Sequence, residues 1–592
     1  MKKTFKGLSA ILMTSVLAVS ASAATVGTMT AWADSTITIN LPNPTNDKAT
    51  HTYQVYQVFK GDLSGSVLSN IQWGDNINSA ALLTDLATAD FTNFSGITAS
   101  SSASDVAKKI TNEAAAKSLA KILDTKTGTT YKYLNGTPKT GAAGSAITVD
   151  NDGYYFVKDT DDSLANSNGA YTRFIMQVTG TATVTAKEDV PQLTKKIGTD
   201  FTTGTTANTA CIGDTVPFVL QSSVPDMTGY DKYYFVINDD MESGLTFNSD
   251  SEVSVTIGTK TLTRKTSSTT ETETEWFDVQ TGTAANGHTL QIVFNNFLQY
   301  SNLKDQTITV KYSATLNENA ELYSNSNDNT VSLTFSNNPN YDYDGNVDND
   351  NPNEPPTDTD GNPTVPTGKT PNSKTETFTT ALKLTKVDGD DNTITLANAK
   401  FRLSGEGLQA VKVDNKYYKL DSTADPAYYQ LADGSFTTTA PTTATSSSYA
   451  STTNKYKEVT DSTEKTNLQK VSTEIVTGSD GIISFNGLAP GNYTLTEIEA
   501  PPTYNKLASP ISITITGSAS ATSEWTATIN GSAASFDSTN KVFTANIENN
   551  KGIELPGTGG VGTTIFYIIG GLMISGALVL LIVKKRMSIK EK

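Results

Sequence analysis

Tyr493-Thr494-Leu495-Thr496-Glu497-Ile498-Glu499-Ala500-Pro501 reads as one β-strand closed by a proline. Tyr493 and Leu495 alternate with Thr494 and Thr496, the period of a strand with one face on a core. Glu497 continues the apolar face, so the pattern places a carboxyl where a hydrophobe belongs. A buried acid needs a partner.

Two further segments supply partners. In Leu382-Lys383-Leu384-Thr385-Lys386, Lys386 shares a face with Leu382 and Leu384. In Phe543–Asn549, Asn549 shares a face with Ile547, while Asn546 and Asn550 fall opposite. An amine, an acid and an amide are therefore expected in one apolar core. Burial drives a buried amine toward its neutral, nucleophilic form and a buried acid toward its protonated form. The amine can then attack the amide carbon while the acid polarises the amide and shuttles protons. Ammonia leaves, and a side-chain amide bond remains.

The surrounding motifs are Leu384-Thr385-Lys386-Val387-Asp388, Leu396-Ala397-Asn398-Ala399-Lys400-Phe401, Asp480-Gly481-Ile482-Ile483-Ser484-Phe485-Asn486-Gly487-Leu488 and the Tyr-x-Leu-x-Glu-x-x-Ala-Pro stretch. Together they resemble a Cna-B-type domain over most of 380–550. The resemblance implies an Ig-like β-sandwich in which a first-strand Lys and a last-strand Asn form an isopeptide bond, helped by a Glu. Here these are Lys386, Asn549 and Glu497.

Toward the N-terminus the opening φ-Thr-Lys recurs in Pro191-Gln192-Leu193-Thr194-Lys195-Lys196-Ile197. Period-2 segments follow at Tyr234–Ile237, Val253–Ile257, Leu290–Phe294 and Ile308–Tyr312. The turn Asp239-Asp240-Met241-Glu242-Ser243-Gly244-Leu245-Thr246-Phe247 resembles the middle domain of sortase-assembled pilins, which carries the related Cna-A-type chemistry. Strand parity favours Lys195 over Lys196 and Asp239 over Asp240. Asn337 shares a face with Val331, Leu333 and Phe335. The expected cross-link is Lys195–Asn337 with Asp239 as the acid; Asn329 and Asn338 stand close by. Cys211, in Ala210-Cys211-Ile212-Gly213, is expected to be a buried, inert thiol.

Length and composition agree with tandem β-domains. The chain has 592 residues, one Cys and two His, so it can hold neither an internal disulfide framework nor a Cys- or His-rich metal centre. A net charge of -17 argues against nucleic acid as a partner. Residues 34–187 are expected to form an N-terminal β-domain with one helix over Ser104–Asp124, marked by Val106, Ile110, Ala114, Leu119, Ile122 and Leu123, with Ser102 or Ser104 as its cap. Residues 188–340 and 379–550 are expected to form the two isopeptide domains that the resemblances imply, Cna-A-like and Cna-B-type. Between them, 341–378 is rich in Asp, Asn and Pro and is expected to be a solvated linker. Asn340, Asp342, Asp344 and Asp348 have the spacing of a calcium loop, but the last position lacks the bidentate Glu and flanking prolines forbid ordinary helices. No cofactor is expected, with calcium as the alternative at this loop.

Both ends read as processing signals. Residues 1–33 carry Lys2, Lys3 and Lys6, an apolar run from Leu8 to Val19 and A-x-A sites ending at Ala23 and Ala33, a secretory signal peptide with cleavage after 23 or 33. Residues 551–592 hold Leu555-Pro556-Gly557-Thr558-Gly559, an apolar stretch over 561–583 long enough to span a bilayer, and a basic tail over 584–592. That order resembles the cell-wall sorting signal of Gram-positive surface proteins. The resemblance implies that sortase cuts between Thr558 and Gly559, holds the Thr558 carbonyl as a thioester and passes it to an amine, so the helix is removed on processing. Removing the three lysines of 1–33 and the five basic residues and one acidic residue of 559–592 leaves 36 basic and 60 acidic residues, a net charge of −24.

One lysine supplies a candidate amine. Ala182-Thr183-Val184-Thr185-Ala186-Lys187 resembles the pilin motif of backbone pilins, without the usual Tyr-Pro. The whole chain thus resembles a sortase-assembled major pilin. Thr558 of one copy would join Lys187 of the next, accessory pilins would be further partners, and the fibre would be anchored to peptidoglycan at the cell surface, where it supports adhesion. The alternative is a monomeric wall-anchored adhesin or accessory pilin. No paired catalytic carboxylates or Ser/His arrangement points to a hydrolase. The host-surface ligand is not legible.

Overall fold

The computed structural model describes residues 35–339, 367–552 and 561–589, less 42–43, 65–66, 89–90, 162, 165–166, 187–189, 267–274, 282–286, 295, 406–407, 409, 414–415, 432–434, 450–451 and 461–473. The signal peptide, Lys187, the calcium-loop residues Asn340, Asp342, Asp344 and Asp348, and Leu555–Gly559 lie outside the described residues. The chain divides into two compact units, Met1–Thr379 with Ser518–Glu524, and Thr380–Gly517 with Trp525–Lys592.

Within the first unit, the described residues of 35–185 build two larger sheets and a two-stranded one, Lys126–Thr127 with Thr130–Tyr131. Ser35–Asn40 lies between Thr181–Thr185, in parallel, and Ala146–Val149, antiparallel. Thr52–Ser64 and Gly153–Asp159 centre a five-stranded antiparallel sheet. Ile37, Ile39, Val55, Val157 and Val178 pack together in one core, as the alternation in their strands requires. The expected single helix is two, Ala103–Ala107 and Glu113–Leu123. Asn112 interrupts it by capping the second helix, its side chain accepting from the Ala115 amide at 2.9 Å. Ser102 caps the first through a capping box with Asp105. The break shifts the phase, so Ala115 rather than Ala114 is buried. A further helix, Ser79–Thr88, buries Leu82, Leu83 and Leu86 and has no counterpart among the sequence expectations.

Residues 194–378 build a sandwich of two larger sheets. One orders Thr194–Ile197, Thr215–Ser223, Thr307–Leu316, Ser254–Ile257 and Lys260–Thr261, with Leu245–Phe247 also on Thr307–Leu316. The other runs through Ala207–Thr209, Ser373–Phe378, Asn327–Ser336, Phe235–Met241, Leu290–Phe294, Trp276–Thr281 and Thr263–Arg264. Phe218, Leu220, Val310, Phe235, Ile237 and Leu333 meet between them. Thr367–Lys369 and Ser373–Phe378, expected as linker, instead pair with Asn327–Ser336. Thr375 and Thr377 alternate as buried residues there, and Phe378 next to them is buried as well. Threonine suits a strand as well as a solvated loop, so composition misled.

The second unit is a sandwich as well. Its four-stranded sheet orders Ile482–Leu488, Thr380–Asp388, Val542–Asn549 and Ser535–Asp537. Its six-stranded sheet carries Lys400–Gly405, Gly491–Glu499 and Ile511–Thr516 at its centre. The first and last strands, Thr380–Asp388 and Val542–Asn549, are parallel neighbours, with Lys386 opposite Ile547 and Asp388 opposite Asn549. The architecture is mainly β throughout, as expected. A separate helix, Val561–Ile589, contains the apolar stretch Phe566–Met587. Its 22 residues rise by about 33 Å, enough for a bilayer core.

Candidate functional site

The second unit gathers its three expected residues. Lys386, Glu497 and Asn549 are all buried. Lys386 Nζ donates to Asn549 Oδ1 at 2.6 Å and to the Ile547 carbonyl at 3.1 Å. Asn549 Nδ2 donates to Glu497 Oε1 at 2.8 Å, while Glu497 Oε2 accepts from the Leu507 amide at 2.7 Å. The placement follows from register. On parallel neighbours Asn549 lies two residues beyond the partner of Lys386 and on the same face, and Gly491–Glu499 brings Glu497 in from the other sheet. Burial pushes the Lys386 amine down to about 8, against the pull of Glu497 and Glu548. The amine therefore reaches its nucleophilic form near neutral pH and already touches the amide it would attack.

The first unit holds a second buried lysine. Lys195 Nζ donates to Asp239 Oδ2 at 2.6 Å, and both groups are fully buried. Burial pushes the Lys195 amine down and the Asp239 carboxyl up, each opposed by the attraction of the other. Both shifts favour moving the proton from lysine to aspartate, which leaves a neutral amine. The Lys195 ammonium also lies 5.1 Å from the Phe218 ring centroid.

Asn337 is not at this site. Its Nδ2 donates to the carbonyls of Leu164 and Gly169, each at 3.0 Å, and its own carbonyl accepts from the Tyr171 amide at 2.7 Å. Register explains why. Asp239 pairs with Val331, six positions before Asn337 on the same strand direction, a separation of roughly 20 Å at the rise of a strand. Asn329, on the same face, lies two positions from Val331 on the other side and is fully buried. Its Nδ2 donates to the Tyr312 hydroxyl at 3.3 Å, and that hydroxyl donates to Asp239 Oδ2. The amide beside Lys195 and Asp239 is thus Asn329. Tyr312 was missed in the sequence; the available signal was a phenol on the core face of Ile308–Tyr312, since a buried Tyr hydroxyl needs a partner. Cys211 is buried, as expected.

The part of the first unit before Lys187 has buried charge of a different kind. Lys158 Nζ donates to Asp124 Oδ1 and Asp161 Oδ1, each at 2.6 Å, and to the Tyr131 hydroxyl. His51 lies between Asp159, 2.9 Å from Nδ1, and Asp47, 3.0 Å from Nε2. Neither group has an amide in reach among the contacts described.

Residues 380–529 match the family model described as SpaA, a prealbumin-like fold domain, and residues 547–588 match the LPXTG cell wall anchor motif. The chain therefore carries a prealbumin-like domain directly followed by a cell wall anchor signal. No curated protein matches the chain. Similar solved structures include the T6 backbone pilin of serotype M6 Streptococcus pyogenes, 14% identical over 88% of this chain and 100% of that one, with a TM-score of 0.49. The Corynebacterium diphtheriae major pilin SpaA is 14% identical over 88% of this chain and 100% of that one, with a TM-score of 0.42. BcpA, the major pilin subunit of Bacillus cereus, is 14% identical over 71% of this chain and 91% of that one, with a TM-score of 0.37. The functional reading below rests on the two family matches and the side-chain geometry.

Proposed function

We propose that this protein is the backbone subunit of a covalent surface fibre that supports adhesion, stiffened by two internal isopeptide bonds. The observation that carries the reading is the Lys386–Asn549–Glu497 cluster, in which the first and last strands of the domain that precedes the wall anchor signal supply the amine and the amide and the facing sheet supplies the acid. In each domain lysine Nζ attacks the asparagine Cγ. The Nζ–Cγ bond forms, the Cγ–Nδ2 bond breaks, and ammonia leaves. Glu497 sits on the leaving nitrogen and carries it the proton that Lys386 gives up. In the second domain the bond joins Lys195 to Asn329, with Asp239 taking the proton from the amine.

Assembly uses the anchor. Sortase holds the Thr558 carbonyl as a thioester, Lys187 of another copy attacks it, and copies join head to tail before the last is passed to peptidoglycan. Accessory pilins would join through the same thioester chemistry. The test is Lys187→Ala in cells that display the protein. Thioester formation at Thr558 does not need Lys187, so only the acceptor is lost. Replacing one lysine that belongs to neither cross-link is expected to change folding stability by no more than about 0.5 kcal/mol. On a denaturing gel of wall extract the high-mass ladder is expected to collapse to a single wall-linked band. A full ladder in the variant would assign the acceptor to another lysine. A single band in the wild type would make the protein a monomeric wall-anchored adhesin.

A further inference from the structure

Tyr312 has no part in the reaction as written above, yet it touches both the acid and the amide. It lies on Thr307–Leu316, paired with Phe218, and its ring stacks on the Phe218 ring at 5.4 Å. The residue is buried, and its hydroxyl donates to Asp239 Oδ2, the same oxygen that receives Lys195 Nζ at 2.6 Å. On its other side the hydroxyl accepts from Asn329 Nδ2 at 3.3 Å. Asp239 Oδ1 and Asn329 Oδ1 are buried with no hydrogen-bond partner. The acid thus meets the nucleophile directly and meets the leaving nitrogen through the phenol. In the other domain Glu497 meets the leaving nitrogen directly, at 2.8 Å.

We propose that Tyr312 is the catalytic proton donor to the leaving nitrogen of Asn329, so that Asp239 and Tyr312 together do in one domain what Glu497 does alone in the other. The proposal rests on the reading that Lys195 and Asn329 react. Asp239, which already carries the first proton of the Lys195 ammonium, passes that proton on through Tyr312 and takes a second from Nζ as the Nζ–Cγ bond forms. Tyr312 gives its hydroxyl proton to Nδ2 as the Cγ–Nδ2 bond breaks, and takes one back from Asp239. One proton has moved from amine to amide, ammonia leaves, and both relay groups end as they began. Burial and the neighbouring Asp239 hold the phenol pKa well above its ordinary value, so free phenolate does not accumulate and the transfer is concerted. The phenol also supplies the reach that an aspartate, one methylene shorter than glutamate, lacks.

The test follows both links during synthesis of the full chain in a cell-free system with detergent, by mass analysis of the cross-linked peptides. Tyr312→Phe is expected to slow the Lys195–Asn329 link at least about a hundredfold, the usual worth of general acid catalysis, and to leave the Lys386–Asn549 link unchanged as an internal clock. Site-specific 3-fluorotyrosine at 312 keeps the hydroxyl but is a stronger acid, and is expected to restore the link at a rate several-fold different from tyrosine. An undiminished rate with phenylalanine overturns the proposal, as does a fluorotyrosine chain as slow as the phenylalanine one, since a space-filling role would explain both. Should the phenylalanine chain fail to fold, the fluorotyrosine chain decides alone, and a rate equal to that of tyrosine overturns the proposal. A wild-type chain that never forms the Lys195–Asn329 link removes the underlying reading and the proposal with it.

Discussion

Lys386 and Lys195, the buried lysines of the two sandwiches, differ in which partner the acid holds and in what a bond would tie together. Lys386 touches its amide oxygen, and Glu497 holds the amide nitrogen. Lys195 touches its acid, and the amide is reached through Tyr312. Lys386 and Asn549 lie on neighbouring strands of one sheet, whereas Lys195 and Asn329 lie on the two facing sheets. The first bond would lock a strand pair; the second would staple the sandwich across its core. Load paths differ accordingly. Load entering beyond Asn549 would pass straight to the first strand of its domain. In the other domain the strands Thr367–Lys369 and Ser373–Phe378 follow Asn329 in the chain and lie outside the closed loop. A common chemistry does not impose a common geometry. It requires a neutral amine, an amide within reach and a proton path between them.

The largest expected effect breaks the comparison on its stronger side. The protein is expected to be lighter than its sequence, after signal removal, by about 34 Da, two molecules of ammonia. Glu497→Ala restores about 17 Da, because nothing then serves the leaving nitrogen of Asn549. It also leaves Lys386 buried and unreacted beside an amide, which costs about 3–5 kcal/mol in that domain. Intact-mass analysis and calorimetry check both. An unshifted wild-type mass would remove both bonds, and a Glu497→Ala chain still about 34 Da lighter than its own sequence would remove the role of Glu497.

Much of this was legible because strand parity is a strict code. Lys386, Glu497, Lys195 and Asp239 each continue an apolar face, and a charge in that position has to be buried. Parity could not separate Asn329 from Asn337, since both continue the face of Val331, Leu333 and Phe335. Only the register of Asn327–Ser336 against Phe235–Met241 separates them, and register depends on turns and on cross-strand packing rather than on one strand's own pattern. Tyr312 was hidden for a related reason. A tyrosine on a core face looks like any aromatic until the partners of its hydroxyl are known. Thr367–Phe378 was hidden by composition, its threonines following a long Asp- and Pro-rich stretch.

The first 150 or so described residues provide a region whose buried charges pair with one another, His51 with Asp47 and Asp159 and Lys158 with Asp124 and Asp161, and for His51 the expected signature is a dependence on pH. Burial alone would lower the His51 pKa; hydrogen bonds to Asp159 and Asp47 outweigh it and raise it to about 9. The folded value exceeds the unfolded one near 6.5, so the stabilisation is fully present below pH 6.5 and is lost as pH rises through about 9. The change is on the order of 3 kcal/mol. Burial also raises the Asp159 pKa against the pull of His51, which acts in the same sense at lower pH. Chemical unfolding followed between pH 6 and pH 9.5, each pH given as an approximate endpoint around that window, is expected to show this loss in the wild type and a flat profile in His51→Gln. A wild-type profile flat across the window would mean that the imidazole is not held charged between its two carboxylates.

The smallest effect bears on the residue that register displaced. Asn337→Ala removes the donor that serves the carbonyls of Leu164 and Gly169, while the backbone contact from Tyr171 to residue 337 survives. Two buried acceptors lose one bond each, and the expected cost is about 1–3 kcal/mol, smaller than leaving a lysine buried without its reaction. The mass is expected not to change, because the amide that reacts is at 329. Asn329→Ala is the counterpart: with no amide to react, it is expected to lie about 17 Da above the mass that the wild type less the substitution would give, one ammonia not lost, and to leave Lys195 and Asp239 as an unreacted pair. A retained ammonia in Asn337→Ala, with none in Asn329→Ala, would return the bond to Asn337. It would require the Asn337 side chain to abandon both carbonyls and cross six strand positions to reach Lys195, and the register of Asp239 against Val331 leaves no path for that.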